Sequence, residues 1–493
     1  MPSQTSTQPV PITRAADLRQ SATELGKSLS KKATITFPSD ARWEALLVRG
    51  SYPRLSPDYS LVIEVGTESD VQTIVTYATK YGIPFLAVSG AHGWTDTLNR
   101  LPYGIQINMR KLNTTTLDKG GKTATIGGGA LQWEVTRALF AKGKQAVTGL
   151  AECVSVIGPL LGGGHSLLQG QFGYALDNLV SARVVLSDGT VVEASASKNS
   201  DLFWALRGAG HNFGIVTSFV VNAYDIKTDW TVYSLIFTQD KLEALFALIN
   251  KHEDGSISRP AELALTGVFV RIPPIDAKQP VIAYTVAYQG NQAAAAPYAA
   301  RFQALGPAAT TVTANVNYVQ LYTVTGNNLD SAACIENHNL LGSGVSLPAW
   351  DPVGTRAGFS IFADATADPR FNSSIVLLEN YGMKGIRAVD PATTALAPDE
   401  RTNPILTSPI FWWEGDNEQA SKDAHAYAAR IKDAFYKGVD KAKGKRHTYV
   451  NYAIGNEGLE ELYGYEKWRL EKLKAAKRKW DAGNGFKFYA PIV

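Results

Sequence analysis

From residue 61 the chain alternates between two hydrophobic periods. "LVIEV" (61–65) is a short apolar run of strand length. The stretch "SDVQTIVTYATKYG" (69–82) then sets apolar residues at 71, 74, 75 and 78 behind a Ser cap, which is a helical stripe. "IPFLAV" (83–88) predicts a second strand, completing a β-α-β unit. "INMRKLN" (107–113) and "TATIGGG" (123–129) predict short strands around the turn "DKGGK". In "LQWEVTRALFAKG" (131–143), apolar residues at 131, 135, 138 and 139 predict a helix. "VVLSDGTVVEA" (184–194) predicts a hairpin, because Asp-Gly supplies the positive φ angles of a tight turn. "DLFWALRGAGHNFGIVTSFVV" (201–221) predicts a short helix ending at Gly208 and then a strand.

Near residue 225 the texture changes. Glycine clusters disappear over 226–445, and strands such as "AELALTGVFVRI", "PVIAYTVAY" and "SIVLLENYG" alternate with Ala-rich helices, among them 418–435. This pattern predicts an antiparallel sheet covered by helices, and so a separate substrate-facing domain. The expected organisation is α+β with two domains. A polar arm (1–39) precedes a first domain (40–224), the second domain spans 225–447, and a C-terminal segment (448–493) returns to the first.

A length of 493 residues agrees with more than one core. The net charge of +3 gives no electrostatic case for nucleic acid or an anionic membrane as partner. The basic runs "KAKGKRH" (441–447) and "KLKAAKRKW" (472–480) are expected to be solvated faces. No run approaches the roughly eighteen apolar residues of a membrane span. The first twenty residues lack the apolar core of a leader, while Asn113 and Asn372 stand in acceptor-type sequons. Localisation therefore stays open: secreted if a leader has been removed, otherwise cytoplasmic. Cys153 and Cys334, the two cysteines, could pair but do not form a disulfide framework.

Candidate chemistry gathers in three glycine-containing loops, at 89–93, 162–164 and 208–214. Glycine lets backbone N–H groups converge closely on a ligand, which suits a pyrophosphate. The glycines follow the second strand of the β-α-β unit, not the first, which disfavours a Rossmann dinucleotide site. No P-loop is present. His92, His165 and His211 sit one per loop, a weak pattern for zinc, and no metal site is expected. Ser89 lacks the Gly-x-Ser-x-Gly elbow of a hydrolase.

Taken in order, "LVIEVGTESDVQTIVTYATKYGIPFLAVSGAHGWTD", "INMRKLN", "GPLLGGGHS", "DLFWALRGAGHNFGIVTSF" and "YVNY" resemble the FAD-linked oxidoreductases of the vanillyl-alcohol oxidase superfamily, which carry a PCMH-type FAD-binding domain. The resemblance is to the berberine bridge enzyme-like branch found in fungi. It implies FAD as cofactor, cradled by Val88, Ser89, Gly90, Ala91 and Gly93 and joined covalently to His92. Ala91 replaces the family's second glycine, a change tolerated if φ there is negative. The position of the branch's second, cysteinyl attachment falls on Ala151, with Cys153 two residues later. Single attachment through His92 is therefore expected, with Cys153 a buried, inert thiol. By the same resemblance Gly158, Gly162, Gly163 and Gly164 line the FAD, as do Phe213, Gly214 and Val216, and Tyr449 and Asn451 support the flavin.

The family removes a proton and a hydride from a small-molecule substrate, and Tyr452 corresponds to its frequent catalytic base. A phenol of pKa near 10 needs help to act as one, and His447 with the lysines before it is the candidate. Two departures weaken the base set. Ile454 stands where the family often has an acid, and the strand before "FWWEGD" offers only Ser408 or Pro409, with Glu414 past its end. The implied activity is an oxidase of an alcohol, carbohydrate or secondary metabolite, passing electrons to O2 with release of H2O2. A dehydrogenase or oxidative cyclase using another acceptor, or a flavin-binding protein with little turnover, are the alternatives.

Overall fold

The computed structural model describes residues 15–493. Three sheets carry the fold. In the first, β1 (Thr34–Thr36), β2 (Tyr59–Glu64), β3 (Phe85–Val88) and β4 (Gly104–Asn108) lie in the order β1-β2-β4-β3. The helix Glu68–Lys80 joins β2 to β3; its cap is Thr67, in a capping box with Asp70, and the expected cap Ser69 lies inside the helix. Both strands run parallel to β4, which lies between them. The second sheet holds β5 (Thr115–Leu117), β6 (Thr123–Gly127), β8 (Leu179–Val185), β9 (Val191–Ser195) and β10 (Ile215–Asn222), in the order β5-β6-β10-β8-β9. The β8–β9 hairpin turns through Gly189 at φ 84°. A two-residue ribbon, β7 (Lys144–Gln145) with β11 (Tyr224–Asp225), marks the end of this half.

The third sheet contains β12 (Trp230–Phe237), β13 (Leu263–Val270), β14 (Val281–Gln289), β15 (Ala309–Val316), β16 (Asn339–Gly342), β17 (Val345–Leu347), β18 (Ile375–Asn380) and β19 (Ile405–Trp413). Its order is β15-β12-β14-β13-β18-β19-β16, with β17 also on β19, and its pairings are antiparallel. One face packs on helices: Phe269, Val286, Leu378 and Phe411 share a core with Ile431 and Phe435 of the helix Glu418–Lys441. The other face looks into the molecule, which is why both sides of "GVFV" and "IVLL" are apolar. The chain's end returns to the first half, where Leu462, Leu473 and Ile492 join Leu160, Leu206 and Phe219 in one core.

Several expectations change here. The arm expected over 1–39 falls partly outside the described residues. Its described part is built into the first half: Leu18 and Leu25 of the helix Ala15–Lys27 pack with Ile63 and Ile74, and β1 pairs β2. The strand expected at 107–113 stops at Asn108, whose side chain accepts from the Arg110 N–H at 3.1 Å and turns the chain. The two basic runs are not wholly solvated. His447 is buried, and Lys477 is buried with Asp481, donating to it and to the carbonyls of Asn212 and Phe486.

Candidate active site

A cavity of about 800 Å³ runs between the loops of the first half and the inward face of the third sheet. Val88, Ser89, Gly90, Ala91, His92 and Gly93 line it directly after β3. Two neighbours hold this loop: the Gly50 N–H donates to the Ala91 carbonyl at 3.1 Å, and Arg49 Nη2 to that of Gly93 at 3.2 Å. Gly90 faces the 153–158 segment so closely that a Cβ would stand 2.5 Å from the Ser155 nitrogen. Ala91 has φ 54°, not the negative value expected. It holds the left-handed conformation that glycine adopts without strain, at a cost of roughly 1 kcal/mol.

His92 makes no hydrogen bond with any described residue. Burial, then the charge of Arg49, lowers its pKa to about 4, so the imidazole is neutral and nucleophilic at pH 7. Arg49 is itself buried with no carboxylate partner among the described residues, a fixed cation beside the histidine. His211 also lines the cavity. Burial lowers its pKa to about 4, its Nε2 contacts the Gly158 carbonyl at 3.0 Å, and its ring lies 4.4 Å from that of Tyr489.

Of the other expected flavin contacts, Gly158, Gly214, Val216, Tyr449 and Asn451 line the cavity, as does Tyr452, the expected base. Phe213 does not: it is fully buried in the first core. Gly162, Gly163 and Gly164 do not line it either. They admit other groups closely, since a Cβ at Gly162 would stand 2.2 Å from Asn451 Oδ1 and one at Gly163 2.7 Å from the Tyr449 ring. The Gly164 N–H donates to Tyr449 Oη at 2.7 Å, and Asn451 Nδ2 donates to Tyr449 Oη at 2.7 Å and to the Pro159 carbonyl at 2.8 Å. These glycines therefore act on the site through Tyr449 and Asn451.

Cys153 is not a buried thiol. It is half-buried and forms a disulfide with Cys334, which ties the 149–158 loop to the segment after Gly326. Ala332 and Ala333, from that segment, line the cavity. With both cysteines consumed, no thiol remains in the chain.

On the opposite wall the structure supplies a carboxylate that sequence reasoning missed. Leu377 on β18 pairs with Ser408 on β19, and two residues along β18 the buried Glu379 faces inward. Its Oε1 accepts from the Tyr381 hydroxyl, while its Oε2 has no partner. Burial raises its pKa, and Tyr452 is close enough for each group to shift the other. Burial and then the Glu379 charge push the Tyr452 phenol well up, the opposite of cationic assistance. His447 gives no help. Its Nε2 meets Glu400 Oε1 at 2.5 Å and its Nδ1 the Glu461 carbonyl at 2.7 Å. Facing acceptors on both nitrogens, it is an imidazolium; burial opposes the charge, but Glu400 outweighs it. Glu400, which burial alone would raise, is held at about 2 by His447 and His165. His165 stands in the cavity wall, 3.6 Å from Glu400 and ringed by Tyr174, Tyr381 and Tyr449.

Glu379 did leave a trace in the sequence. In "SIVLLENYG" the inward positions read Ile375, Leu377, Glu379, Tyr381, with a charge in an otherwise apolar row. The remaining walls fit a dinucleotide. Arg49 Nε, Ser89 Oγ, His211 Nδ1 and Asn451 Oδ1 are buried without partners, although their residues line the cavity. Native interiors rarely leave such atoms unpaired, so they suit an elongated ligand rich in donors and acceptors.

Comparison with known proteins points the same way. Residues 59–195 match the family described as "FAD binding domain". The chain is 36% identical to FAD-linked oxidoreductase chyH of Penicillium rubens over 95% of this chain and 93% of that one. Among solved structures, it is similar to BBE-like 1 of Physcomitrella patens, with TM-score 0.81 and 23% identity, covering 97% of this chain and 99% of that one. It is also similar to the glucooligosaccharide oxidase of Acremonium strictum, whose FAD is 6-S-cysteinyl, 8α-N1-histidyl. There the TM-score is 0.76 and the identity 20%, covering 95% and 99% of the two chains.

Proposed function

The chain belongs to the FAD-linked oxidoreductases, with the berberine bridge enzyme-like fold, and we propose that it is an oxidase whose FAD is held covalently by His92 alone. The observation that carries single attachment is the disulfide. Cys153 and Cys334 are bonded to each other, so neither offers a thiolate, while His92 presents a neutral imidazole at the cavity wall. Burial, reinforced by the charge of Arg49, keeps that imidazole unprotonated.

Bound FAD supplies the two-electron acceptor, and we read O2 as the final one, with H2O2 released. The chain's own residues handle the proton. Tyr452 meets the substrate hydroxyl and passes its proton to Glu379, whose unpaired Oε2 is ready to receive it. The substrate C–H hydride leaves as that O–H bond is broken, and the alcohol becomes a carbonyl. Tyr452 is thus a relay and Glu379 the final base. The alternative of a flavin-binding protein with little turnover draws its motive from Ser408 and Pro409, and Glu379 removes that motive. The disulfide and the exposure of Asn113 and Asn372 support the secreted route.

The test is acid precipitation. Wild-type protein should give a yellow pellet, His92→Ala a colourless one, and Cys153→Ser should stay yellow. A yellow His92→Ala pellet would refute the assignment.

A further inference from the structure

The walls of the cavity differ in chemistry along the third sheet, and its register shows how. Thr266 on β13 pairs with Thr285 on one side and Glu379 on the other, forming a polar row beside Tyr452. The next inward row is Ala283, Val268 and Leu377. Beyond it come Val270 and the pair Ile375–Ile410. Rows two residues apart are separated by about 7 Å, so roughly 14 Å of wall beyond the polar row is aliphatic. Trp412, paired with Leu340, stands at its far end. Ser408 falls in the second row, but its hydroxyl is used by Ser343 and Pro409 and does not line the cavity. The cations in the wall, Arg49 and Lys487, both lie on the first half's side.

From this gradient, and resting on the reading of the site just given, we propose that the substrate has one polar end, carrying the hydroxyl to be oxidised, and an apolar body of aryl or alkyl character. A sugar does not fit. Each ring carbon brings a hydroxyl, and a hydroxyl desolvated without a partner costs about 1–3 kcal/mol. The two aliphatic rows offer such hydroxyls nothing. The unpaired polar atoms near them are the indole N–H groups of Trp94 and Trp412, which are donors only. They suit an acceptor oxygen on the apolar body, such as a carbonyl or ether. An anionic body is disfavoured as well, since among the described residues no cation faces these rows and Glu379 is at their head. The glucooligosaccharide oxidase shares the fold at 20% identity, and that similarity does not fix the lining of this wall.

The test titrates the holoenzyme, without oxygen, with 4-alkylbenzyl alcohols from methyl to pentyl and with xylobiose. Binding is read by the flavin spectrum and by quenching of tryptophan fluorescence. Dissociation constants should fall about threefold for each added methylene, and xylobiose should bind more weakly than every member beyond ethyl. Val268→Thr and Leu377→Asn should flatten the series, with retained flavin as the check on folding. Affinity that is flat along the wild-type series, or tighter for xylobiose, would overturn the proposal while leaving the flavin in place. Loss of the flavin signal with the fluorescence gradient intact would instead count against the FAD reading and support the apolar wall.

Discussion

Removing the disulfide is the perturbation whose size the fold makes calculable. Cys153 and Cys334 lie 181 residues apart in sequence. In the chain-entropy picture, a crosslink closing so long a loop withdraws roughly 5 kcal/mol from the unfolded ensemble. The native contacts around it do not replace it. The Glu152 N–H to Asn327 carbonyl bond at 2.9 Å and the Leu329 N–H to Glu152 Oε2 bond at 3.0 Å both persist without the bridge. Unfolding entropy near 2 cal/mol/K per residue puts about 1 kcal/mol on each degree of melting temperature for a chain of this length. The Cys153→Ser/Cys334→Ser double variant should therefore melt about 5 °C below wild type if the molecule unfolds as one unit. Reductant should bring the wild type toward the variant. Because Cys334 follows the cavity-lining Ala332 and Ala333, the variant should also bind apolar probes with faster exchange. The assay is fluorescence-monitored melting of the holoenzyme, with flavin content measured in parallel. A shift below about 1 °C, with reductant inert, would show that the bridge does not constrain the two halves. Loss of covalent flavin on Cys153→Ser alone would refute the single-attachment reading as well.

Three further outcomes follow from named contacts. Glu379→Gln should slow anaerobic flavin reduction by an oxidisable alcohol about 10²- to 10³-fold and abolish its rise with pH through the raised carboxylate pKa; a variant as fast as wild type would remove Glu379 from the proton path. Gly163→Ala forces a side chain into φ 143° with its Cβ 2.7 Å from the Tyr449 ring, so it should cost about 2–4 kcal/mol and loosen flavin binding, which melting and flavin retention will report. The buried Glu400–His447 pair gives a pH signature. His447 has its pKa raised, so its contribution is complete below the unfolded value of 6.5 and is lost as pH rises through the folded one. Glu400 is depressed to about 2, so its contribution is complete above the unfolded 4.5 and is lost on acidification. The melting difference between wild type and His447→Gln should therefore be greatest between those two unfolded values, at roughly 3–5 kcal/mol; a difference that grows above them would contradict the imidazolium assignment.

Local pattern carried much of the fold. The Asp-Gly hairpin, the apolar stripe of the helix Glu68–Lys80 and the break in the helix Ser200–Ala209 at Gly208 each depend on residues close together in sequence, so their signals are complete, although the cap fell on Thr67 and not on Ser69. The cavity loop is legible for the same reason: Ser89, Gly90, Ala91, His92 and Gly93 are consecutive, and β3 delivers them together. The resemblance named the cofactor from those residues. It misjudged Ala91, because a backbone angle depends on how Arg49 and Gly50 hold the loop from outside.

What tertiary structure alone decided are the features built from distant pairs. Whether Cys153 is a thiol or half of a bridge depends on a partner 181 residues away. Phe213 belongs to the core and not to the cavity because the first half folds over it, and Gly162 and Gly163 are small because Asn451 and Tyr449 come back from the chain's end to meet them. Strand register placed Glu379 in the row beside Tyr452, where alignment along one strand pointed to Ser408. The alternation that predicts a strand is indifferent to which neighbour it joins. That choice is made by packing across the sheet, and it sets the charge at one end of the cavity and the aliphatic rows at the other.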